Sequence, residues 1–204
     1  MNYWTSDWHC HHVRCLEFDN RPFSTVGHMH QVLINNYNAS VSEHDTCYFL
    51  GDMYWGQVTD LAKIINQLNG TKILLLGNHD GSVGAMKKAG FDVIMNMAAI
   101  TIGGQLVTMS HCPLRDTFRE DTSKMSRSSK GEPWHGHDKN QNFSWPNFGQ
   151  FHLHGHCHSK PENKILGRQF DVGVPGNSYR PVSQSQIESW IALTLKKEKD
   201  NETD

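Results

Sequence analysis

Phe151-His152-Leu153-His154-Gly155-His156-Cys157-His158-Ser159 is the stretch on which the reading of the chain turns. As a strand it alternates sides with period 2, which would line up His152, His154, His156 and His158 on one face. A packed sheet does not tolerate four imidazoles in a row on one side. Gly155 supplies the break, because glycine enters turn conformations at little steric cost. The strand then ends near Gly155 and leaves His156 and His158 beyond its carboxyl end, spaced to approach one metal cluster. Imidazole is the commonest side-chain metal ligand. An isolated His-x-His would fit a solvated strand edge equally well, so the chain upstream must decide.

Upstream, other apolar runs also end on metal-competent side chains. Residues 2–6 read as a strand running into Asp7-Trp8-His9. Residues 46–50 form a short apolar run of the buried parallel kind that ends at Gly51-Asp52. Residues 72–76 form another, ending on Gly77-Asn78-His79-Asp80. Residues 98–102 and 105–109 flank Gly103-Gly104, a two-residue hairpin signal, and the second arm ends on Ser110-His111. Five strand ends thus deliver Asp7, His9, Asp52, Asn78, His111, His156 and His158. In sheets wound with helices, ligands bind beyond the carboxyl ends of the strands. Seven donors mixing carboxylate, amide and imidazole are too many for one ion. They suit two divalent ions ~3.5–4 Å apart sharing a bridging carboxylate, the arrangement used for phosphoryl chemistry. Mixed nitrogen and oxygen ligation admits Mn, Fe, Zn or Ni, and Mn is the expectation adopted.

The intervening segments carry helical periodicity. Ser24 is placed to cap a helix running to about residue 39, with Val26, Met29, His30, Leu33, Ile34 and Tyr37 on its buried face. Residues 57–68 show a second stripe, closed by Asn69-Gly70. Residues 82–89 form a short helix, and 91–95 and 168–174 two further strands. Residues 184–197 form a C-terminal helix with Ile187, Trp190, Ile191 and Leu195 inward, and the charged residues 196–204 fray. His11 and His12 fall in a loop as rim residues, and Asn20-Arg21-Pro22-Phe23 is a turn.

At 204 residues, 37% hydrophobic and 20% charged, the chain suits a single domain over residues 1–204 with a full core. Net charge of −2 disfavours long nucleic acids and membrane surfaces as partners. No apolar run approaches the ~18 residues of a membrane span. The stretch before Asp7 is too short for a signal peptide, so a cytoplasmic location is expected. Five cysteines without a Cys-x-x-Cys pair argue against a disulfide framework or a structural zinc site. Most are expected to be buried, and Cys157, between two candidate ligands, to be sensitive to oxidation.

Residues 117–149 differ from the rest: polar, then dotted with aromatics, and long for a loop inside a compact domain. We expect an insertion that covers the site; the alternative is a solvated insertion whose aromatics pack on the domain's flank. Arg119, Lys124, Arg127 and Lys130 would meet phosphate, while Trp134, Phe143, Trp145 and Phe148 would stack on a base. Arg115, four residues past His111, is the expected fixed phosphate contact.

Asp-x-His, Gly-Asp, Gly-Asn-His-Asp, Ser-His and Gly-His-x-His, in that order between Asp7 and His158, resemble the calcineurin-like metallophosphoesterase superfamily. Asn20-Arg21-Pro22-Phe23, Leu50-Gly51-Asp52, Asp171-Val172-Gly173-Val174 and Tyr179-Arg180-Pro181-Val182 resemble a subfamily of small bacterial and phage phosphoesterases more closely still. The resemblance implies an α/β fold of four layers, a β-sandwich flanked by helices. It implies a first metal on Asp7, His9, Asp52 and His158, and a second on Asp52, Asn78, His111 and His156, with Asp52 bridging. It implies that Asn78 and His79 meet the phosphate, that His79 protonates the leaving oxygen, and that the nucleophile is a metal-activated water. Many relatives carry Gly-Asp-x-x-Asp, whose last Asp orients that histidine; here the position is Trp55.

Two classes of function follow. One is a metal-dependent phosphoesterase acting on a small phosphorylated substrate, with a nucleotide-type phosphodiester expected and a phosphomonoester as the alternative. The other is a catalytically idle metal-binding interaction domain. The presence of every expected ligand weighs against decay to the second.

Overall fold

The computed structural model describes residues 1–115 and 143–202. Of the expected cover, Arg119, Lys124, Arg127, Lys130 and Trp134 lie outside the described residues.

The fold is mixed α/β, with two mixed sheets of five strands. The first has the order β10-β1-β2-β3-β4, built from β1 (Asn2–Thr5), β2 (Thr46–Phe49), β3 (Thr71–Leu75), β4 (Val93–Met95) and β10 (Val182–Ser183). Strands β1 to β4 run parallel and β10 closes one edge antiparallel. The second has the order β5-β6-β7-β9-β8, from β5 (Met97–Ile102), β6 (Gln105–Ser110), β7 (Phe151–His154), β8 (Ile165–Leu166) and β9 (Gln169–Asp171). Its middle strands β6, β7 and β9 are parallel. The β5–β6 hairpin turns on Gly103 and Gly104 at φ of 56° and 77°, the two positive values that a type I′ turn requires.

Among the described residues there are five α-helices: α1 (Cys15–Phe18), α2 (Val26–Asn38), α3 (Val58–Ile65), α4 (Val83–Ala89) and α5 (Gln184–Glu202). Two apolar clusters hold these elements. Met29, Leu33 and Tyr37 of α2, Leu61 and Ile65 of α3 and Met86 of α4 join Cys47 and Phe49 of β2 and Leu74 of β3. The other cluster joins Trp4, Leu50 and Leu75 of the first sheet to Val107, Met109, Phe151, Leu153 and Phe170 of the second. Ile187, Trp190 and Ile191 of α5 complete it, Trp190 meeting Phe151 and Phe170 edge to face.

Several boundaries differ from expectation, each for a local reason. Thr25, not Ser24, caps α2, because its hydroxyl accepts the His28 amide at 3.1 Å. The late strand stops at Asp171 and a 3₁₀ turn, Val174–Asn177, follows, because Pro175 has no amide to donate to a ladder. The C-terminal residues do not fray at 196. Arg168 grips Glu198 through Nε and Nη2 at 2.8 and 2.6 Å, and α5 continues to Glu202. Cys10, Cys15, Cys47 and Cys112 are buried free thiols, and Cys157 is exposed. Among the described residues no helix is long and apolar enough to cross a membrane.

Candidate metal centre

Strand β7 stops where the sequence places its break. All four of its residues are buried, with Phe151 and Leu153 in the apolar cluster. His152 lies between Thr108 Oγ1 at 2.9 Å and Ser110 Oγ at 3.3 Å, and His154 stacks on it at 5.9 Å. These two imidazoles belong to the sheet. Gly155 then donates its amide to the His111 carbonyl at 2.9 Å, tying the end of β7 to the end of β6. A Cβ on Gly155 would overlap Ser6 Oγ and stand 2.5 Å from Asp7 Oδ2, so only glycine lets β7 approach β1 here.

The first sheet delivers its strand ends to the same place. Asp7 donates its amide to the Gly51 carbonyl at 3.1 Å and His9 to the Asp52 carbonyl at 3.0 Å, so the β1 and β2 loops run side by side. Gly51, at φ 89°, turns the chain, and a Cβ on it would stand 2.6 Å from the Gly77 backbone. Asp80 locks this crossing: its carboxylate accepts the amides of Asp52, Met53 and Gly77 at 2.9, 2.9 and 2.8 Å.

The donor atoms converge. His9 Nε2 is 3.0 Å from His158 Nε2 and 3.7 Å from Asp52 Oδ2, and His158 Nε2 is 3.4 Å from Asp7 Oδ1. On the other side of Asp52, His111 Nε2 is 3.3 Å from Asp52 Oδ2, 3.0 Å from Asn78 Oδ1 and 3.2 Å from His156 Nδ1. Bonds of about 2.1 Å meeting at octahedral or tetrahedral angles put neighbouring donors about 3.0–3.4 Å apart. Five of the six spacings fall in that range, and the sixth, His9 to Asp52 at 3.7 Å, is wider. Asp7, His9 and His158 form one group able to hold a metal ion; Asp7, Asp52 and His111 form another, His111, Cys112 and His156 a third, and His154, Cys157 and Asp171 a fourth beside them.

Backbone strain marks five of the seven donors. Asp7, His9, Asp52, His156 and His158 all have left-handed backbones, at φ of 59°, 47°, 56°, 68° and 49°. Each non-glycine residue there costs on the order of 1–3 kcal/mol and persists because its surroundings over-determine it. Those surroundings are the backbone bonds between strand ends.

Burial and charge set the protonation. Burial works against the charge on Asp7 and Asp52, but His158 beside the first and His111 beside the second hold both carboxyls below the usual range. Burial likewise opposes charge on His111 and His158. Asp52 outweighs it at His111, raised to about 9, and Asp19 followed by Asp7 outweigh it at His158, raised to about 10. His9 and His156 are pushed down to about 3 and about 4, by burial first and then by the neighbouring rings His158 and His111. The centre thus holds two carboxylates with two neutral imidazoles already suited to ligation.

Partners outside the donor set fix the ring orientations. His111 Nδ1 donates to the Leu50 carbonyl at 2.7 Å, turning Nε2 inward. His158 Nδ1 meets Asp19 Oδ1 at 2.7 Å, and Arg21 holds Asp19 through Nε at 2.9 Å and Nη2 at 2.7 Å. Arg21 also donates to the carbonyls of Asp7 and Trp8 at 3.0 and 3.1 Å. Carboxylate–imidazole pairs of this kind orient metal ligands and raise their basicity. The sequence reading missed Asp19, Arg21 and Asp80 as members of the site. The available signal was an acid and an arginine flanking a turn next to a ligand loop, which reads equally well as surface.

His79 donates its amide to Asp52 Oδ1 at 3.0 Å and holds Nε2 3.9 Å from Asp52 Oδ2, with a side chain 41% exposed. Trp55 lies beside it at 5.5 Å between ring centroids, so an indole and not a carboxylate flanks this ring from position 55. His12 faces Trp55 at 4.8 Å, whereas His11 turns away to His30 at 4.5 Å. No contact among the described residues joins Arg115 to the donor set; its amide pairs with the Trp145 carbonyl at 3.0 Å. Trp145 donates its indole N–H to the Met109 carbonyl at 3.0 Å, which ties it to the second sheet.

No family model matches the chain. Over 80 residues it is 38% identical to an uncharacterized protein of Methanocaldococcus jannaschii. That match covers 38% of this chain and 46% of the relative, so it spans about half the relative's length. The crystal structure of a protein of unknown function from Aquifex aeolicus superposes with a TM-score of 0.67 at 24% identity, over 93% of this chain and 98% of that one. At that identity the likeness concerns the fold alone.

Proposed function

We propose that this protein is a two-metal phosphoesterase of the calcineurin-like metallophosphoesterase kind, its two sheets forming the inner layers of a four-layer sandwich. One observation carries the reading: two groups of donors able to hold a metal ion, Asp7–His9–His158 and Asp7–Asp52–His111, adjoin through Asp7, and Asp52 Oδ2 lies between His111 Nε2 at 3.3 Å and His9 Nε2 at 3.7 Å. In this reading Asp7, His9, Asp52 and His158 hold one divalent ion, and Asp52, Asn78, His111 and His156 the other. When bound, such a pair offsets charge on a phosphoryl group and lowers the pKa of water enough to make it a nucleophile at neutral pH.

The chain's own residues supply the rest. The buried carboxylates of Asp7 and Asp52 balance the cations, and the strand-end bonds keep the donors from collapsing together. His79, exposed beside Asp52, stands where it can hand a proton from its ring to the departing oxygen. Asn78, with Oδ1 toward His111, has an amide NH₂ with which to meet a phosphoryl oxygen.

The reading leans to a small nucleotide-type diester, with a monoester as the alternative. Hydrolysis of bis-p-nitrophenyl and p-nitrophenyl phosphate, with and without Mn²⁺, tests the class and separates diesterase from monoesterase. Asp52→Asn should abolish turnover and lower bound metal, because one carboxylate serves both ions. Near-normal turnover in Asp52→Asn, or two ions still bound, would sink the two-metal assignment. Metal binding without hydrolysis of either ester would favour the idle domain.

A further inference from the structure

Beside the donor set lies an arc of rings that metal binding does not require. Among the described residues three Trp or Phe residues are left about half exposed or more: Phe18 at 49%, Trp55 at 51% and Phe148 at 74%. Two of the three border the metal centre. Trp55 is 5.5 Å from His79 and 4.8 Å from His12; His12 is 5.5 Å from Phe18; Phe18 lies 5.8 Å from His158, its plane 28° from that ring. The arc therefore runs from the exposed His79 to the ligand His158. His12 stands nearly perpendicular to both aromatics, at 69° and 83°, and braces them apart.

The arc is built on fixed backbone. Trp55 donates its amide to the Cys10 carbonyl at 2.7 Å, next to the bridge between Cys10 and Tyr54. Phe18 closes α1, its amide bonded to the Arg14 carbonyl at 3.1 Å. Leaving two large apolar rings wet beside a polar centre forgoes about 25 cal/mol for each Å² that remains uncovered. Covering them with a planar ring would recover that area and add stacking.

We propose that Trp55, His12 and Phe18 form an aromatic subsite on the leaving-group side of the centre, and that the alcohol released carries a planar aromatic ring of the nucleoside kind. The proposal rests on the phosphoesterase reading, because it is His79 at the departing oxygen that places the leaving group against Trp55. Phosphate contacts alone do not distinguish one ester from another; the rings supply the selection.

Adenosine 5′-phosphate and ribose 5-phosphate, each also as its methyl ester, share one reacting oxygen and differ by the base. With Mn²⁺ the protein should prefer the adenosine member of each pair. Trp55→Ala should cut kcat/KM for the adenosine esters roughly 5–150-fold and for the ribose esters far less, because stacking on one aromatic is worth about 1–3 kcal/mol. Trp55→Phe should recover most of the loss, and Phe18→Ala should show the same selectivity. A second measurement needs no turnover: saturation transfer from protein to the adenine protons of adenosine 5′-phosphate, in metal-free protein, should weaken in Trp55→Ala and Phe18→Ala. Equal losses for adenosine and ribose esters, or unchanged saturation transfer in both variants, would overturn the subsite. If no ester is cleaved, the phosphoesterase reading fails and the saturation-transfer result still decides the subsite.

Discussion

Asp19 and His79 test what single side chains contribute. Asp19 touches no expected metal, yet it holds His158 Nδ1 at 2.7 Å and is itself held by Arg21. Removing it as Asp19→Ala frees the ring and leaves the buried Arg21 without its carboxylate. Loss of such an outer partner typically weakens metal affinity ~10–100-fold. We expect that loss in a Mn²⁺ titration, with the His158-side ion released first; unchanged affinity for both ions would remove Asp19 from the site. His79 calls for a different readout. His79→Asn should reduce turnover by ~10²–10⁴-fold while both ions stay bound. The deficit should shrink for p-nitrophenolate, which leaves without needing a proton, and equal deficits for good and poor leaving groups would count against an acid role. Trp55 makes that comparison informative, because no carboxylate occupies its position and His79 contacts its ring instead.

At the scale of elements, the joint between β7 and β1 matters most. A methyl at residue 155 would meet Ser6 and the carboxylate of Asp7 together. Overpacking of this kind costs typically 1–3 kcal/mol, which for a chain of this size lowers Tm by roughly 2–12 °C. Gly155→Ala should therefore lose both stability and metal, because β7 can retreat only by carrying His156 away from His111. Gly104→Ala is the control. Its Cβ meets nothing within 4 Å, and the strain at φ 77° costs about 1–2 kcal/mol without touching the site. If both variants bind Mn²⁺ alike, the joint does not position the donors.

Across the whole molecule, the buried histidines predict the response to acid. His152 is pushed down to about 3, by burial first and then by His154 beside it. In the unfolded chain it titrates near 6.5. Between these values the unfolded state binds the proton that the folded state refuses. The stabilisation is thus complete above about pH 6.5 and is lost as pH falls toward 3, at about 1.4 kcal/mol per unit for this one group. Chelator-treated protein should lose stability along that window in urea titrations. His152→Gln, neutral throughout and able to bond Thr108, should be less stable at pH 7 yet show a shallower acid slope. An unchanged slope would mean that His152 takes up its proton while folded.

The sequence alone determined the elements that depend on neighbours along the chain. Apolar runs of four or five residues became β2 and β3, glycines at 103 and 104 made the hairpin, and Gly155 ended β7. These are local effects of period, turn conformation and the missing Cβ, readable without a partner. The order of acids and histidines at strand ends was legible for the same reason, since a strand's carboxyl end is a sequence position. Tertiary structure decided the rest. That α5 runs past 196 to Glu202 depends on Arg168, which bonds Glu198 from thirty residues earlier. That Arg21 lies buried under the centre depends on the carbonyls of Asp7, itself in left-handed backbone, and of Trp8, both of which accept from its guanidinium. Whether Phe18 and Trp55 sit on one rim depends on where α1 and the β2 loop come to rest. Each is a contact between segments far apart along the chain, set by the packing of sheets and helices, and no periodicity encodes it.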